Sequence, residues 1–213
     1  DPAREPVYLD LIAALGALGD EAGAVEALRE SRARGRLVPF VGPDFPRSLT
    51  GLPSRAEVAR GLAGYHGLPA DESLARVAPQ TMLGSNRYEF TAYMRHALDD
   101  QLLEPGPIYS ALARLGASFW LSTTYDGQLV RALNANSIVT GEDTRSWRPD
   151  RPTVARLLGD LAANRDVVVL AGDYEQLRER EGERRLLLAY LREQLAGKVV
   201  LFLGHDPASP DFA

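Results

Sequence analysis

The stretch Leu37-Val38-Pro39-Phe40-Val41-Gly42-Pro43-Asp44 decides the fold class of this chain. Its apolar first half predicts a buried strand, and a glycine turn follows, with a helix expected beyond it. In α/β proteins such a turn usually binds a phosphate through its backbone N–H groups. Here the turn contains Pro43, which has no N–H, and the carboxylate of Asp44, which would repel an anion. The turn therefore lies where α/β proteins bind nucleotides, but two of its residues, Pro43 and Asp44, are unsuited to binding a phosphate.

Further apolar runs alternate with helical segments along the chain, as expected for a parallel sheet covered on both faces. The predicted strands after the first are 117–123, 137–139, 154–158, 167–170 and 199–204. The predicted helices are 8–18, 21–34, 54–66, 88–103, 108–115, 126–133 and 173–195. Residues 140–151 are polar and end in prolines, which predicts a loop.

These elements predict a Rossmann-like, doubly wound α/β domain over residues 36–213, preceded by leading helices in residues 1–35. A helical insertion is expected at about 54–115, between the first two strands. Its first helix begins at a capping-box pattern, Ser54-Arg55-Ala56-Glu57. We also expect the sequence to be one domain of a longer chain.

The composition excludes several classes of function but does not identify one. The 213 residues carry a formal net charge of −5, which argues against a dedicated nucleic-acid or anionic-membrane binder. No apolar run is long enough for a membrane span, and no signal-peptide pattern is visible. The chain has no cysteine, which excludes disulfides, thiol catalysis and Cys-based zinc sites. We expect a cytoplasmic protein.

Several short segments at or next to predicted strand ends resemble the SIR2-like family, in its zinc-less prokaryotic branch associated with defence and signalling. These segments are 42–46, 122–126, 157–160, 172–174 and 204–212. Together they extend the resemblance over about residues 36–212. It implies an NAD site, or a site for an ADP-ribose-like nucleotide, at the carboxyl edge of the sheet. The residues it places there are Gly42, Pro43, Asp44, Thr123, Thr124, Asp126, Gly204, His205 and Asp206.

The departures from the family pattern predict that NAD cleavage is lost. Asp44 and Pro46 replace the second glycine and the serine of the family's phosphate turn. Thr124 replaces the asparagine that the family uses near the ribose. Leu158 stands at the position of the catalytic histidine and has no titratable group for acid–base work. We therefore expect no catalytic residue in this chain.

The candidate side chains have structural explanations beside the functional ones. His205 and Asp206 could form a relocated acid–base pair, but a rim position and a turn cap are the favoured roles. Thr123 and Thr124 could bind a ligand hydroxyl or equally satisfy local backbone groups. Asp126 is expected to cap the following helix rather than bind ribose. The remaining expectations concern aromatic and apolar packing: Trp120 in the core, Trp147 exposed, and Tyr88, Phe90, Tyr93 and Met94 under the pocket.

The predicted function is therefore recognition rather than catalysis. We expect a degenerate SIR2-like module that senses a ligand or contacts other domains of a larger signalling or anti-phage defence protein. A homo-oligomer is possible, and no nucleic acid or membrane partner is expected. The alternative is an active NAD hydrolase with a shifted set of pocket residues. An open cleft with Asp44 turned outward would favour ligand binding, and a cleft filled by Phe45 and Leu158 would favour a structural relic.

Overall fold

A computed structural model describes most of the chain. The described residues are 21–45, 47–71, 73–84, 86–146, 148, 150–163, 165, 167 and 183–205. The predicted helix 8–18, most of the predicted strand 167–170, the start of helix 173–195, Trp147 and Asp206 lie outside them. All statements below concern the described residues.

The described strands form one parallel sheet of five strands in the order β3-β4-β2-β1-β5. The strands are β1 Leu37–Val41, β2 Phe119–Ser122, β3 Asn136–Ile138, β4 Thr153–Arg156 and β5 Val199–Leu203. The predicted α/β class is thus confirmed, and four of the later predicted strands appear with bounds that differ by one or two residues. Only parallel pairs occur, so the carboxyl ends of these strands lie at one edge of the sheet.

Helices connect these strands and also form the insertion. They are α1 Glu21–Ala33, α2 Arg47–Thr50, α3 Arg55–Tyr65, α4 Leu74–Gly84, α5 Arg87–Ala97, α6 Pro107–Ala113, α7 Gln128–Leu133 and α8 Glu183–Leu195. A 3-10 helix, Gly141–Ser146, corrects part of the loop predicted at 140–151. None of the described helices is both long and apolar enough to cross a membrane.

Apolar side chains cover both faces of the sheet, as the near-continuous apolar strands predict. On one face Val41, Trp120 and Val154 pack with Tyr109 and Leu112 of α6. On the other face a second cluster packs against α8; its members include Val38, Phe119, Leu121, Ala155, Tyr190 and Leu191. Burial of β2 and β4 on both faces explains why these strands read as apolar runs without alternation.

The insertion has its own core, which continues into the edge of the sheet. Helices α3, α4 and α5 contribute Leu62, Val77 and Phe90 to a cluster that also contains Tyr125 and Leu158. The sequence did not predict α4, which contains Pro79. A proline inside a helix removes one backbone hydrogen bond. Burial of one apolar face of α4 in this cluster outweighs that loss.

Two helix starts in the insertion follow from the sequence. The Ser54 side chain accepts a hydrogen bond from the Glu57 N–H, and Glu57 accepts one from the Ser54 N–H, so the capping box is confirmed. Asn86 caps α5 in the same way through the Glu89 N–H. The predicted helix 88–103 is too long, because α5 ends at Ala97. Tyr88 is 81% exposed, which contradicts its predicted place under the pocket.

Candidate functional site

The backbone of the turn after β1 is hydrogen-bonded to the backbone at the end of β5. The Gly42 N–H donates to the Leu203 carbonyl at 2.8 Å, and the Asp44 N–H donates to the Gly204 carbonyl at 2.8 Å. Pro43 has no N–H. Each N–H of residues 42–44 is therefore absent or already engaged, so none of these three residues offers a donor to a diphosphate.

Glycine is required at this junction because the two strand ends are in contact. A Cβ on Gly42 would lie 2.6 Å from Nδ1 of His205 and closer still to the Gly204 carbonyl oxygen. Gly204 has a φ of +65°, and a Cβ there would lie 2.6 Å from the ring of Phe45. The predicted site residues Gly42 and Gly204 thus hold β1 and β5 together.

His205 lies against aromatic rings rather than in an open pocket. Its ring centroid is 4.5 Å from that of Phe40 and 5.7 Å from that of Phe202. Burial lowers the pKa of His205, the nearby Asp44 raises it, and Arg55 lowers it further. His205 is therefore predominantly neutral at pH 7 and does not line the cleft described next.

A narrow cleft opens beside this turn, between the carboxyl ends of β1 and β2 and the insertion helices. The volume of the cleft is about 30 Å³, which corresponds to roughly two or three water molecules. Most of the wall is apolar and consists of Phe45, Leu52, Pro53, Val58, Leu74, Met94 and Leu98. The cleft suits a slender group better than a dinucleotide.

Hydroxyl groups at the end of β2 form a short chain that leads to Asp126. The Thr124 N–H donates to Oγ of Ser122 at 3.1 Å, and the two hydroxyl oxygens are 2.9 Å apart. A hydrogen bond from the Thr124 side chain also reaches the Asp126 carboxylate. The hydroxyl of Thr124, which lines the cleft, is thereby satisfied within the protein. Of the two predicted roles for Thr124, the geometry favours the structural one.

Asp126 is a half-buried acid on the cleft wall. Its Oδ1 accepts a hydrogen bond from the Gln128 N–H at 2.9 Å, at the first residue of α7, but the N-cap position is Gly127, so the predicted N-cap is one residue out. Burial and the nearby Asp100 raise the pKa of Asp126, against the opposing effects of the Gln128 N–H, Arg156 and Thr124. Tyr109 lines the same cleft, and burial raises its pKa above the usual range, aided by both aspartates. Its hydroxyl is therefore protonated.

Two arginines fix the loops around Asp126. Arg156 is 5% exposed; its Nη1 pairs with Oδ2 of Asp160 at 2.6 Å, and its Nη2 donates to the Tyr125 carbonyl at 2.7 Å. Arg131 pairs with the buried Asp100 at 2.8 Å. These contacts hold both ends of the loop between β2 and α7. Arg156 was not predicted as a site residue, although a single charged residue within the apolar run 154–158 indicates a buried and paired side chain.

Leu158 occupies a structural position. It is 5% exposed and belongs to the core cluster shared by the insertion and the sheet edge, and it does not line the cleft. Of the two side chains that would fill the cleft in a structural relic, Leu158 is absent from its lining, whereas Phe45 forms part of its wall. Asp44 also lies outside the lining, beside His205.

The structure thus brings together only part of the predicted site. Gly42, Pro43, Thr124 and Asp126 share the cleft. Thr123 has a buried Oγ1 without a hydrogen-bond partner among the described atoms and does not line the cleft. Met94, expected under the pocket, does line the cleft, but sequence reasoning missed other lining residues of the insertion and α6, among them Arg55, Leu98 and Tyr109.

Within the described residues no group of His, Asp and Glu side chains is arranged to hold a metal ion. Neither a protein-family model nor a curated protein matches the chain.

Proposed function

We propose that this domain is a recognition module that binds a small ligand in the cleft at the carboxyl ends of β1 and β2, without cleaving NAD. One observation carries the proposal: the N–H groups of Gly42 and Asp44 are engaged by β5 and Pro43 has none, so residues 42–44 offer no donor to a diphosphate. A nucleotide site at this edge of a parallel sheet depends on such donors.

The side chains of the resemblance support the same proposal. Leu158, at the position of the family's catalytic histidine, is part of a hydrophobic core. The hydroxyl of Thr124, at the asparagine position, is hydrogen-bonded within the protein. Neither side chain provides a base or an amide for attack on a glycosidic bond.

A cleft nevertheless remains, which supports ligand binding over a purely structural relic. It combines an apolar wall with the polar groups of Asp126, Tyr109 and Arg55. This combination of an apolar surface with a few convergent polar groups is typical of small-molecule sites. We also propose that the domain functions within a longer signalling or defence protein, and this part of the proposal rests on the resemblance alone.

The catalytic half of the proposal is tested by incubating the purified protein with NAD and measuring nicotinamide release. An active family member serves as the positive control. We expect release no greater than from NAD alone. Release that falls when Thr124 or His205 is changed to alanine would contradict the proposal and restore the NAD hydrolase alternative.

The binding half is tested with a library of small molecules, screened by NMR against the wild type and a Leu98→Trp variant. Leu98 is half-buried on the cleft wall, so a tryptophan there can occupy the cleft. Leu83→Trp is the matched control, because Leu83 is 91% exposed and does not line the cleft. We expect hits that Leu98→Trp loses and Leu83→Trp retains. Hits that bind all three proteins equally would contradict a cleft site.

A further inference from the structure

Gln128 is a completely buried amide that joins two segments distant in the sequence. Its Oε1 accepts a hydrogen bond from the Gly106 N–H at 2.7 Å, and its Nε2 donates to the Thr50 carbonyl at 2.8 Å. The residue is 0% exposed. Breaking these bonds would leave polar groups buried without partners, which is costly, so the amide holds both segments in place.

Both segments form walls of the cleft. Thr50 lines it, and the Thr50 hydroxyl accepts a hydrogen bond at 3.1 Å from the N–H of Leu52, a second lining residue. Gly106 precedes α6, whose Tyr109 lines the cleft and donates its N–H to the Gly106 carbonyl at 3.0 Å. The Gln128 side chain therefore ties the wall at the end of α2 to the wall formed by α6.

A third part of the wall is attached to the same residue through its backbone. The Gln128 N–H donates to Oδ1 of Asp126, which lines the cleft. Gln128 itself is not part of the lining. Its effect on a ligand therefore acts through the positions of Thr50, Tyr109 and Asp126.

The distance between the walls at α2 and α6 is restricted in both directions. A Cβ on Gly106 would collide with the Leu49 carbonyl oxygen and would lie 2.7 Å from Cα of Thr50, so the two segments are already in close contact. They cannot move closer together, and the Gln128 amide keeps them from separating. The volume that remains in the cleft is that of roughly two or three water molecules.

From these contacts we propose that Gln128 is the positioning residue that sets the width of the cleft, and that it thereby restricts the ligand to a slender group of about two or three non-hydrogen atoms. This inference rests on the proposed function and specifies the size of the group that the cleft accepts.

The test uses two probes that share a hydroxyl group but differ in girth, methanol and tert-butanol. Each is titrated into the isotope-labelled protein, and saturable shifts of the Thr50, Leu52 and Thr124 amides give the dissociation constants. A larger apolar surface alone would favour tert-butanol. We expect the opposite order in the wild type, with methanol binding about tenfold more tightly, because tert-butanol is too broad for the cleft.

Gln128→Met tests the bridge directly. Methionine has a similar length but no amide, so both hydrogen bonds are lost and the walls can separate. We expect the preference for methanol to fall to about twofold or less. Ile138→Ala is the matched control: Ile138 is 1% exposed in β3 and does not line the cleft, so this variant loses stability through a cavity but should keep the wild-type preference.

Gln128→Glu is a second variant, which tests the bridge within one protein even where Gln128→Met does not fold. A protonated carboxyl has one donor and one acceptor and can make both bonds, whereas an ionised carboxyl has no donor for the Thr50 carbonyl. Burial raises the pKa of the introduced carboxyl, so it should ionise between about pH 6 and about pH 9, which its NMR resonance reports. We expect the wild-type preference while it is protonated and the weaker preference once it is ionised.

The inference is overturned if tert-butanol binds the wild type as tightly as methanol, if neither alcohol gives a saturable shift, or if the preference persists in Gln128→Met or in ionised Gln128→Glu. It is also overturned if Ile138→Ala loses the preference to the same extent, because the effect would then come from stability alone. The proposed function fails by different results, namely nicotinamide release from NAD or library hits that bind Leu98→Trp as tightly as the wild type.

Discussion

Asp126 combines a structural role with an unfavourable electrostatic position. It accepts a hydrogen bond from the Gln128 N–H at the start of α7, yet burial and Asp100 raise its pKa. An acid held in such a position is typical of binding sites, where local stability is lower than it could be. The residue should therefore influence stability in a pH-dependent way.

Asp126→Asn should change the pH dependence of folding in a defined direction. In the unfolded chain an aspartate loses its proton near pH 3.9, whereas folded Asp126 retains it to a higher pH. Its contribution to wild-type stability is thus full below about pH 3.9 and is lost as the pH rises through the folded pKa. The free energy of unfolding of the variant, minus that of the wild type, should increase from pH 4 to pH 7 in urea titrations.

Asp143 provides a control whose pKa is shifted in the opposite direction. Burial alone would raise its pKa, but hydrogen bonds from Thr140, Arg165 and Val139 outweigh that effect and lower it. Its contribution is present above about pH 3.9 and is lost as the pH falls through the folded value. The free energy of unfolding of Asp143→Asn, minus that of the wild type, should therefore become more negative as the pH rises from 2 to 4. If the difference in the free energy of unfolding changed in the same direction with pH for both variants, the raised pKa of Asp126 would be contradicted.

Gly42→Ala should strongly destabilise the domain. The new Cβ would collide with the Gly204 carbonyl and lie 2.6 Å from the His205 ring, and the backbone contact cannot be relieved by a rotamer change. Overpacking of this kind costs about 1–3 kcal/mol, and we expect the upper part of that range. Thermal or urea unfolding measures the loss.

Gly64→Ala is the matched control for that substitution. Gly64 lies in α3, has no atom within 4 Å of the position of a new Cβ, and should gain up to about 1 kcal/mol from better helix propensity. Equal effects of the two substitutions would contradict the close packing of β1 against β5.

Sequence reasoning at the level of residues succeeded where the chemistry is local. The capping box of Ser54 and Glu57 and the burial of Trp120 follow from residue type and from the neighbouring residues. The inclusion of Tyr109 and Arg55 in the cleft could not be predicted, because each is brought there by helices distant in sequence. The engagement of the Gly42 N–H by β5 also needs the strand order, which no local pattern contains.

At the level of elements, the start of α3 depends on the capping box. Ser54→Ala should reduce the free energy of unfolding by about 1 kcal/mol, within the range of 0.5–2 kcal/mol for lost caps. Hydrogen bonds from the Ser54 N–H and hydroxyl lower the pKa of Glu57, so this stabilisation is present above about pH 4.3 and is lost as the pH falls through the folded value. The variant keeps the backbone N–H at position 54, so it should lose only the part of that pH dependence that the hydroxyl contributes.

The matched control for the cap is Ser110→Ala. Ser110 is an exposed residue within α6, where alanine is a good helix former and no cap is lost. Its free energy of unfolding should stay within about 0.5 kcal/mol of the wild type. An equal loss in both variants would show that the Ser54 cap makes no specific contribution.

The elements themselves differ in how far the sequence determines them. Strands β1, β2 and β5 are apolar runs and were predicted, as was α3 with its cap. Helix α4 was missed because Pro79 argues against a helix locally, and only its buried face, with Leu74 and Val77, compensates. The length of α5 was overestimated because the apolar pattern continues past Ala97 into a loop held by Asp100 and Arg131.

At the level of the whole molecule, the insertion and the sheet share one core. Tyr125 and Leu158, from loops at the sheet edge, pack with the buried residues of α3, α4 and α5. A shared core makes separate unfolding of either part costly, because both would expose the same apolar surface. The cleft lies along this junction, so its shape depends on the two parts staying together.

We therefore expect the insertion and the sheet to unfold in a single cooperative step. Native-state hydrogen exchange should give the same opening free energy for the slowest amides of α3, near Leu62, and of β2, near Trp120. Leu158→Ala removes a side chain from the shared core and should lower both values together, by about 2–5 kcal/mol. Leu83→Ala, at a 91% exposed position, should change them by no more than about 0.5 kcal/mol. A fall confined to α3 would mean that the insertion opens by itself, and the cleft would then have to be treated as a gap between two independently folding parts.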